Sequence, residues 1–533
     1  MLTRLSPRGL DLSSVPWHTF AVAAIPALFL FADNAEQQVT LTPLWAPLLI
    51  CLGAAAAVLL VTILASGDVG RGGLLATLAL ILFFTFGHLY NLVGAPTDAS
   101  RWLLAAGYLL IGVGLGLLIW RGGRWVPSLN RFLNLATLAL VAFNTLRVAN
   151  YATVSAAAAE ALPNPSGVVL QAPAAKPDIY YIILDRYASA ETLSSIYRFD
   201  NEPFLRALEA RGFAIARHAW ANYFKTALSV YTSLSMHYID PADLNVDMSK
   251  PATFTELHAA LRDHLPVPVA LKALGYNYVH LGNWWEPTAT NIDADVSLRY
   301  QESAEFSSSL WSTTALSLIS PPADNGSDPD DDGETLEHRD LARATTLYAF
   351  DRLEEAAGRP GPTFVFAHIL VPHPPYVFAP DGSFPSLDDM RGHSEKANYR
   401  RQLRWTNHRV LKAVDRLMAH APGEPEPIII LQADEGPWPA GFLHNQKDFQ
   451  WLEASSKDIQ QKFGILNAMR LPGVDPASVG FTNDTSPVNE FRIVFDAYFD
   501  ADLPILPNET YLSPTYAQMY DFVPYPHPSP PPP

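Results

Sequence analysis

The sequence predicts a helical membrane region of about five spans followed by an α/β domain on a doubly wound, mostly parallel sheet. Three observations carry that fold class. Apolar stretches of spanning length crowd the first 150 residues, charge is divided unevenly along the chain, and beyond Pro177 short β-branched runs alternate with segments of helical spacing.

Of 533 residues only 17% are charged, against about 25% in ordinary soluble domains. Residues 1–150 hold eight Arg, no Lys and five acidic residues, a net of +3, and the remainder is net −20. An acidic domain excludes nucleic acid as a partner, because a phosphate backbone is held by clustered Lys and Arg. An apolar content of 49% excludes a disordered chain. The sole cysteine, Cys51, lies in an apolar run and reads as small filler. It offers no disulfide, thiolate zinc site or redox pair.

Candidate spans run over Trp17–Phe31, Leu44–Ala65, Leu74–Val93, Trp102–Trp120 and Phe132–Val148. The first is short and interrupted by Pro26, and the last contains Asn144 and Arg147. A cleaved signal peptide does not fit, because four more apolar spans follow at short intervals. Arg4 and Arg8, then Arg71, then Arg121, Arg124 and Arg131 mark alternate connections as basic. The positive-inside rule then places the N-terminus in the cytoplasm and, after five spans, everything beyond about residue 150 outside the inner membrane. His88 lies within the third span without an evident carboxylate partner and reads as structural.

The expected organisation is a membrane region at 1–150, an Ala/Pro/Ser-rich tether at 151–177, the α/β domain at 178–510 and a Pro-rich tail at 511–533. In the domain, IYYIIL is a continuous apolar run suited to a buried parallel strand. EPFLRALEARG has helical spacing with a stop at Gly212. FAIARHAW, YNYVHLG, TFVFAHIL, IIILQ and FGILNAM read as further strands, interleaved with TALSVYTSLSM and with helices around 254–274, 338–357 and 396–419. The acidic stretch 321–338 lacks the spacing of a calcium loop and reads as a solvated insertion.

Chemistry on such a sheet gathers beyond the carboxyl ends of its strands. IYYIIL ends at Asp185, and IIILQA runs into Asp434, Glu435 and Gly436. Together these carboxylates offer hard oxygen ligands to a divalent cation. Thr226 stands where a loop becomes a helix, a position suited to an anionic ester as well as to an ordinary N-cap. His368 and His373 flank a proline-stiffened turn, open to roles as ligand, oxyanion donor or structural residue. Trp285, within WWEPT, offers an aromatic face for a sugar or lipid headgroup, or for core packing.

In this order, KPDIYYIILD, FLRALEARGFAIARHAWANYFKT, FVFAHILVPHPPYVF, IIILQADEG and SPVNEFRIVFDAYF resemble the alkaline phosphatase/sulfatase superfamily. The closer resemblance is to its sulfatase-like, lipoteichoic acid synthase-like branch, in which a multi-span anchor carries an extracytoplasmic catalytic domain. It covers roughly residues 176–510, and the anchor is similar in layout only. The resemblance implies that Asp185, Thr226 and Asp434 stand at metal-coordinating and nucleophilic positions, with Glu435 where the family usually has His. That departure implies harder ligands, with Mn²⁺ or Mg²⁺ ahead of Ca²⁺ or Zn²⁺. The superfamily's sulfatases make formylglycine from Cys or Ser in a C/S-x-P-x-R context, which KTALS (225–229) lacks, so phosphoryl chemistry through Thr226 is the expectation. Lys225, Asn222 and His373 are open to two readings, as groups that neutralise or hydrogen-bond the transferring group or as ordinary surface. The expected substrate is an anionic phosphate ester of an envelope lipid or glycan. The alternative is a catalytically altered relative that binds an envelope polymer or a partner protein.

Overall fold

The computed structural model describes residues 15–526 apart from 36–40, 94–97, 162–167, 174, 245, 250–251, 263–264, 301–303, 319–335, 420–423 and 447. The acidic stretch 321–338 therefore lies mostly outside the described residues. The chain divides into two compact units, one of Met1–Thr153 with Ser303–His338 and one of Val154–Glu302 with Arg339–Pro533.

The first unit contains helices α1 (Trp17–Asp33), α2 (Thr42–Ser66), α3 (Val69–Val93), α4 (Asp98–Trp120) and α5 (Val126–Ala161). Four of them, α2 to α5, are long and apolar enough to cross a membrane, whereas α1 has only 17 residues. The expected count of five spans thus becomes four long helices and one short one. Helix α1 continues through Pro26, and α5 runs on to Ala161, into the stretch expected to be a tether. Its alanines favour helix more than the prolines further on oppose it.

The apolar helices are joined by polar groups that hydropathy does not reveal. His18 is 0% exposed; its Nδ1 lies 2.6 Å from Thr77 Oγ1 and its Nε2 2.7 Å from Asn130 Oδ1. Asn130 in turn donates to the carbonyls of Gly70 and Val126. Helices α1, α3 and α5 are thereby connected through one imidazole. His88 is exposed on α3. A short helix, Ala304–Ser312, and the turn after it also belong to this unit, although they fall inside the 178–510 expected to be α/β domain. Phe306 meets Phe31 edge to face at 5.8 Å, and the Gly87 N–H donates to the Thr313 carbonyl at 3.0 Å. A Cβ at residue 87 would collide with the Thr313 backbone, so this approach requires glycine.

The second unit is built on a seven-stranded sheet of order β2-β7-β6-β1-β5-β3-β4. Its strands are β1 (Ile179–Leu184), β2 (Phe213–Ile215), β3 (Asn277–Leu281), β4 (Val296–Leu298), β5 (Thr363–Ile369), β6 (Ile428–Gln432) and β7 (Asn467–Arg470). β1 lies at the centre, parallel to both β5 and β6. All six of its residues are buried, as its unbroken apolar run requires. β7, from FGILNAM, runs antiparallel to β6, and only three residues of FAIARHAW form a strand. The expected tail at 511–533 contains a hairpin instead: β8 (Thr510–Leu512) pairs with β9 (Val523–Tyr525). Aromatic contacts hold this hairpin down, with Tyr525 stacked on Trp220 and Phe522 against Tyr223.

Replacing His18 by Leu removes two of the side-chain hydrogen bonds that join the helices. Interhelical bonds of this kind contribute about 0.6–2 kcal/mol each. Thermal unfolding of the detergent-solubilised protein should shift down for His18→Leu and stay unchanged for His88→Leu. Equal melting curves would remove the imidazole from the bundle's polar core.

Candidate active site

Side chains alternate along a strand, so residues in register on neighbouring strands share a face. Ile183 is in register with His368 on β5 and with Gln432 on β6. Two residues onward from Ile183 and from Gln432 come Asp185 and Asp434, which therefore emerge on the same face as His368 at the carboxyl edge of the sheet. Ligand atoms of Asp185, His368 and Asp434 all lie within 4.8 Å of one another, and all three residues are buried. Asp185 Oδ1, Asp434 Oδ2 and His368 Nε2 have no hydrogen-bond partner, whereas buried polar atoms ordinarily find one. His368 Nδ1 is 2.8 Å from Thr288 Oγ1. The other ring nitrogen, Nε2, lies 3.4 Å from Asp185 Oδ2 and faces the carboxylates; with Nδ1 carrying the proton, its lone pair is directed there. Two carboxylates and an imidazole with free lone pairs fit a divalent cation.

Thr226 is the first residue of the Thr226–Ser235 helix, and the N-cap is Lys225, which makes no side-chain capping bond. Thr226 lies beside Asp434, and against the larger effect of burial its hydroxyl draws that carboxyl's pKa down. Arg186 follows Asp185 in a left-handed conformation at φ 60°. This costs a non-glycine residue energy and recurs at functional sites. Here it turns the Arg186 N–H toward Asp434 Oδ1 at 3.3 Å.

Glu435, expected as a ligand, has one oxygen engaged by cations, while its Oε2 is buried without a hydrogen-bond partner. Its Oε1 lies 2.7 Å from Lys462 Nζ and 3.6 Å from Arg186 Nε, and it accepts from Trp438 Nε1 at 2.7 Å. An imidazole does stand beside the two aspartates, that of His368 from a different strand. Gly436 makes the ion pair possible. Its N–H donates to the Lys462 carbonyl at 2.7 Å, and a Cβ there would collide with the Gln461 carbonyl. The Trp438 ring carries three cations: Arg186 and Lys225 at 4.2 Å and Lys462 at 4.9 Å. Lys225 is also within cation–π reach of Phe442 and of Tyr516, next to the C-terminal hairpin.

These charges shift one another. Burial raises the Asp434 carboxyl well above the usual range, and the charges of Asp185 and Glu435 add to it. Burial acts the same way on Asp185, but His373, His368 and Arg186 outweigh it and hold that carboxyl low. Burial pushes Lys225 down to about 7 and Lys462 down to about 8, with Glu435 opposing in both cases. Burial and Arg186 push the His373 imidazole down to about 3 against the pull of Asp185.

Of the residues singled out in the sequence, the structure brings together Asp185, Thr226, Asp434, Glu435, Lys225, His368 and His373. The two tryptophans of WWEPT brace histidines: Trp285 meets His368 edge-on at 6.0 Å, and Trp284 meets His373 at 5.9 Å. Asn222 is 0% exposed. Its amide donates to the Glu509 carbonyl and accepts from the Val488 N–H, so both ends serve the fold and neither faces a ligand. Arg186, Thr288, Trp438 and Lys462 were missed. Adjacency to Asp185 and to Asp434–Gly436 was a usable signal for Arg186 and Trp438; nothing local marks Thr288 or Lys462.

No protein-family model matches the chain, and no curated protein matches it. Solved structures similar to it include the C-terminal periplasmic domain of EptC from Escherichia coli in complex with zinc. That domain is 12% identical with a TM-score of 0.42, over 66% of this chain and 93% of that one. The integral membrane lipooligosaccharide phosphoethanolamine transferase A from Neisseria meningitidis is 12% identical with a TM-score of 0.40, over 91% and 96%. A protein in the alkaline phosphatase superfamily from Vibrio parahaemolyticus is 11% identical with a TM-score of 0.39, over 68% and 80%.

Breaking a buried ion pair from one side leaves an uncompensated charge, at a cost of about 3–5 kcal/mol. Lys462→Met should destabilise the protein by that order, and Lys462→Met combined with Glu435→Gln should recover most of it. Urea unfolding of the two variants beside the parent measures the difference. A double variant no more stable than the single one would show that the pair is not coupled.

Proposed function

We propose that the chain is a membrane-anchored, extracytoplasmic, metal-dependent phosphoryl-group transferase or phosphoester hydrolase acting on an envelope lipid or glycan. The observation that carries this reading is the buried group of Asp185, His368 and Asp434, whose ligand atoms lie within 4.8 Å of one another, with Thr226 beside Asp434. Charge supports it. Three carboxylates (Asp185, Asp434, Glu435) face three basic side chains (Arg186, Lys225, Lys462), so a divalent cation would leave a surplus that a dianionic phosphoryl group balances.

Asp185, His368 and Asp434 would hold the cation, and an oxygen-rich set with one imidazole suits Mn²⁺ or Zn²⁺. When bound, such an ion lowers the pKa of a coordinated hydroxyl and draws charge from a phosphoryl oxygen. Thr226 Oγ forms the bond to phosphorus, the bond to the leaving oxygen breaks, and its electron pair departs with that oxygen, which takes a proton from solvent. The Thr226 proton is lost to the Asp434 carboxylate. Water or a second hydroxyl then attacks the phosphothreonine and gives up its proton to solvent, while Thr226 leaves with its electron pair and takes back the proton held by Asp434. Lys225, held over Trp438, offers positive charge beside the nucleophile. His373, next to Asp185, contributes a ring nitrogen beside that carboxylate.

With Mn²⁺ and p-nitrophenyl phosphate, the full-length protein should release nitrophenol and leave phosphate on the Thr226 peptide, read by mass spectrometry. Thr226→Ala should lower turnover roughly a thousandfold and abolish the adduct. A Mn²⁺-saturated protein with neither turnover nor adduct would favour a non-catalytic binding domain. On topology, the alternating Arg connections predict that a C-terminal reporter active only in the cytoplasm will be silent; strong reporter activity would reverse the orientation.

A further inference from the structure

A cavity of about 640 Å³ opens in the membrane unit, between α2, α3 and the segment that follows the Ala304–Ser312 helix. Its walls include Ala54 and Val58 on α2, Ala79 and Phe83 on α3, and Trp311 and Leu316 from that segment. On α2 the wall begins at Ile50, near the middle of the helix, and extends for about 12 Å at 1.5 Å per residue. It therefore lies at hydrocarbon depth in a helix long enough to span.

The space arises from small side chains. On α2 the lining positions Cys51 and Ala54 are small, and the segment opposite is fixed at a distance by the Phe31–Phe306 contact and the Gly87–Thr313 hydrogen bond. Protein interiors do not leave volumes of this size unfilled. Water is a poor occupant, since the lining offers almost no hydrogen-bond partners. At that depth the abundant apolar material is lipid hydrocarbon, and the cavity has room for roughly twenty groups of the volume a water molecule takes in the liquid, about the size of a methylene. We propose that this cavity is a binding site for one acyl chain of a bilayer lipid, with Trp311 and Leu316 as its wall outside the spanning helices. The inference does not depend on the catalytic reading. It does tie a lipid to a stretch of chain that lies, in sequence, between β4 and the Leu336–Ala356 helix of the α/β unit.

The test uses the full-length protein in phospholipid vesicles containing a phosphatidylethanolamine with a diazirine at mid-chain. After irradiation, adducts should appear on peptides containing Ala54, Phe83 and Trp311; adducts on the lipid-exposed face of α4, at Leu109–Ile111, serve as the internal reference. Filling the site with Ala54→Trp should reduce the Trp311 adduct about tenfold relative to α4. The milder Ala79→Leu, checked for an unchanged melting temperature, should reduce it in the same direction. Labelling of α4 without labelling of the 311–316 peptide would overturn the proposal. So would a Trp311 adduct indifferent to both substitutions, or one formed equally by a headgroup diazirine.

Discussion

Two carboxylates and an imidazole are held in one buried space because three adjacent parallel strands end in phase. The register of β1 with β5 and β6 sets Asp185, His368 and Asp434 on a single face, and the rest of the α/β unit answers the charge this concentrates. Asp434 cannot shed the influence of Asp185 and Glu435 by moving, since all three emerge from a central, fully packed sheet. The compensation comes from other elements: Arg186 by a left-handed turn of the backbone, Lys462 from a helix brought close by Gly436, and Lys225 from the loop before the nucleophile candidate. Trp438 gives those cations an apolar, polarisable face that separates them while keeping all three near Glu435.

The parts of this arrangement readable from sequence are those written in local pattern. A continuous apolar run ending in Asp marks a buried strand and its functional edge, and this held for IYYIIL and IIILQ. A helix beginning at Thr226 was equally legible from spacing. Partnership across the sheet was not, because neighbours in a parallel sheet are chosen by tertiary packing. His368 therefore appeared as one of two ambiguous histidines around a turn, although its register with Ile183 makes it part of the carboxylate group. Glu435 was assigned by position alone. Its pairing with Lys462 is invisible there, because that lysine is close only after the chain has folded.

The membrane unit shows the same division between pattern and partner. Hydropathy located the helices, but His18 escaped notice because it lies at the margin of the shortest one, and the more conspicuous His88 is exposed. The Ala304–Leu318 segment was invisible for a different reason. Nine helical residues and one 3₁₀ turn are too short for a spanning signal, so their affinity for the helices resides in Phe306, Leu310 and a glycine on another element.

The hairpin formed by β8 and β9 also places an order on the birth of the protein. Tyr511 donates its N–H to the Asn222 carbonyl, just upstream of Lys225 and Thr226, and Tyr516 lies against Lys225. The loop that presents the threonine is thus held by chain made almost 300 residues later. Domains fold as units during synthesis, but this pocket cannot be assembled until residue 525 has been polymerised and carried to the domain. A chain ending before the hairpin would contain all seven strands of the sheet and lack the contacts that hold the threonine loop.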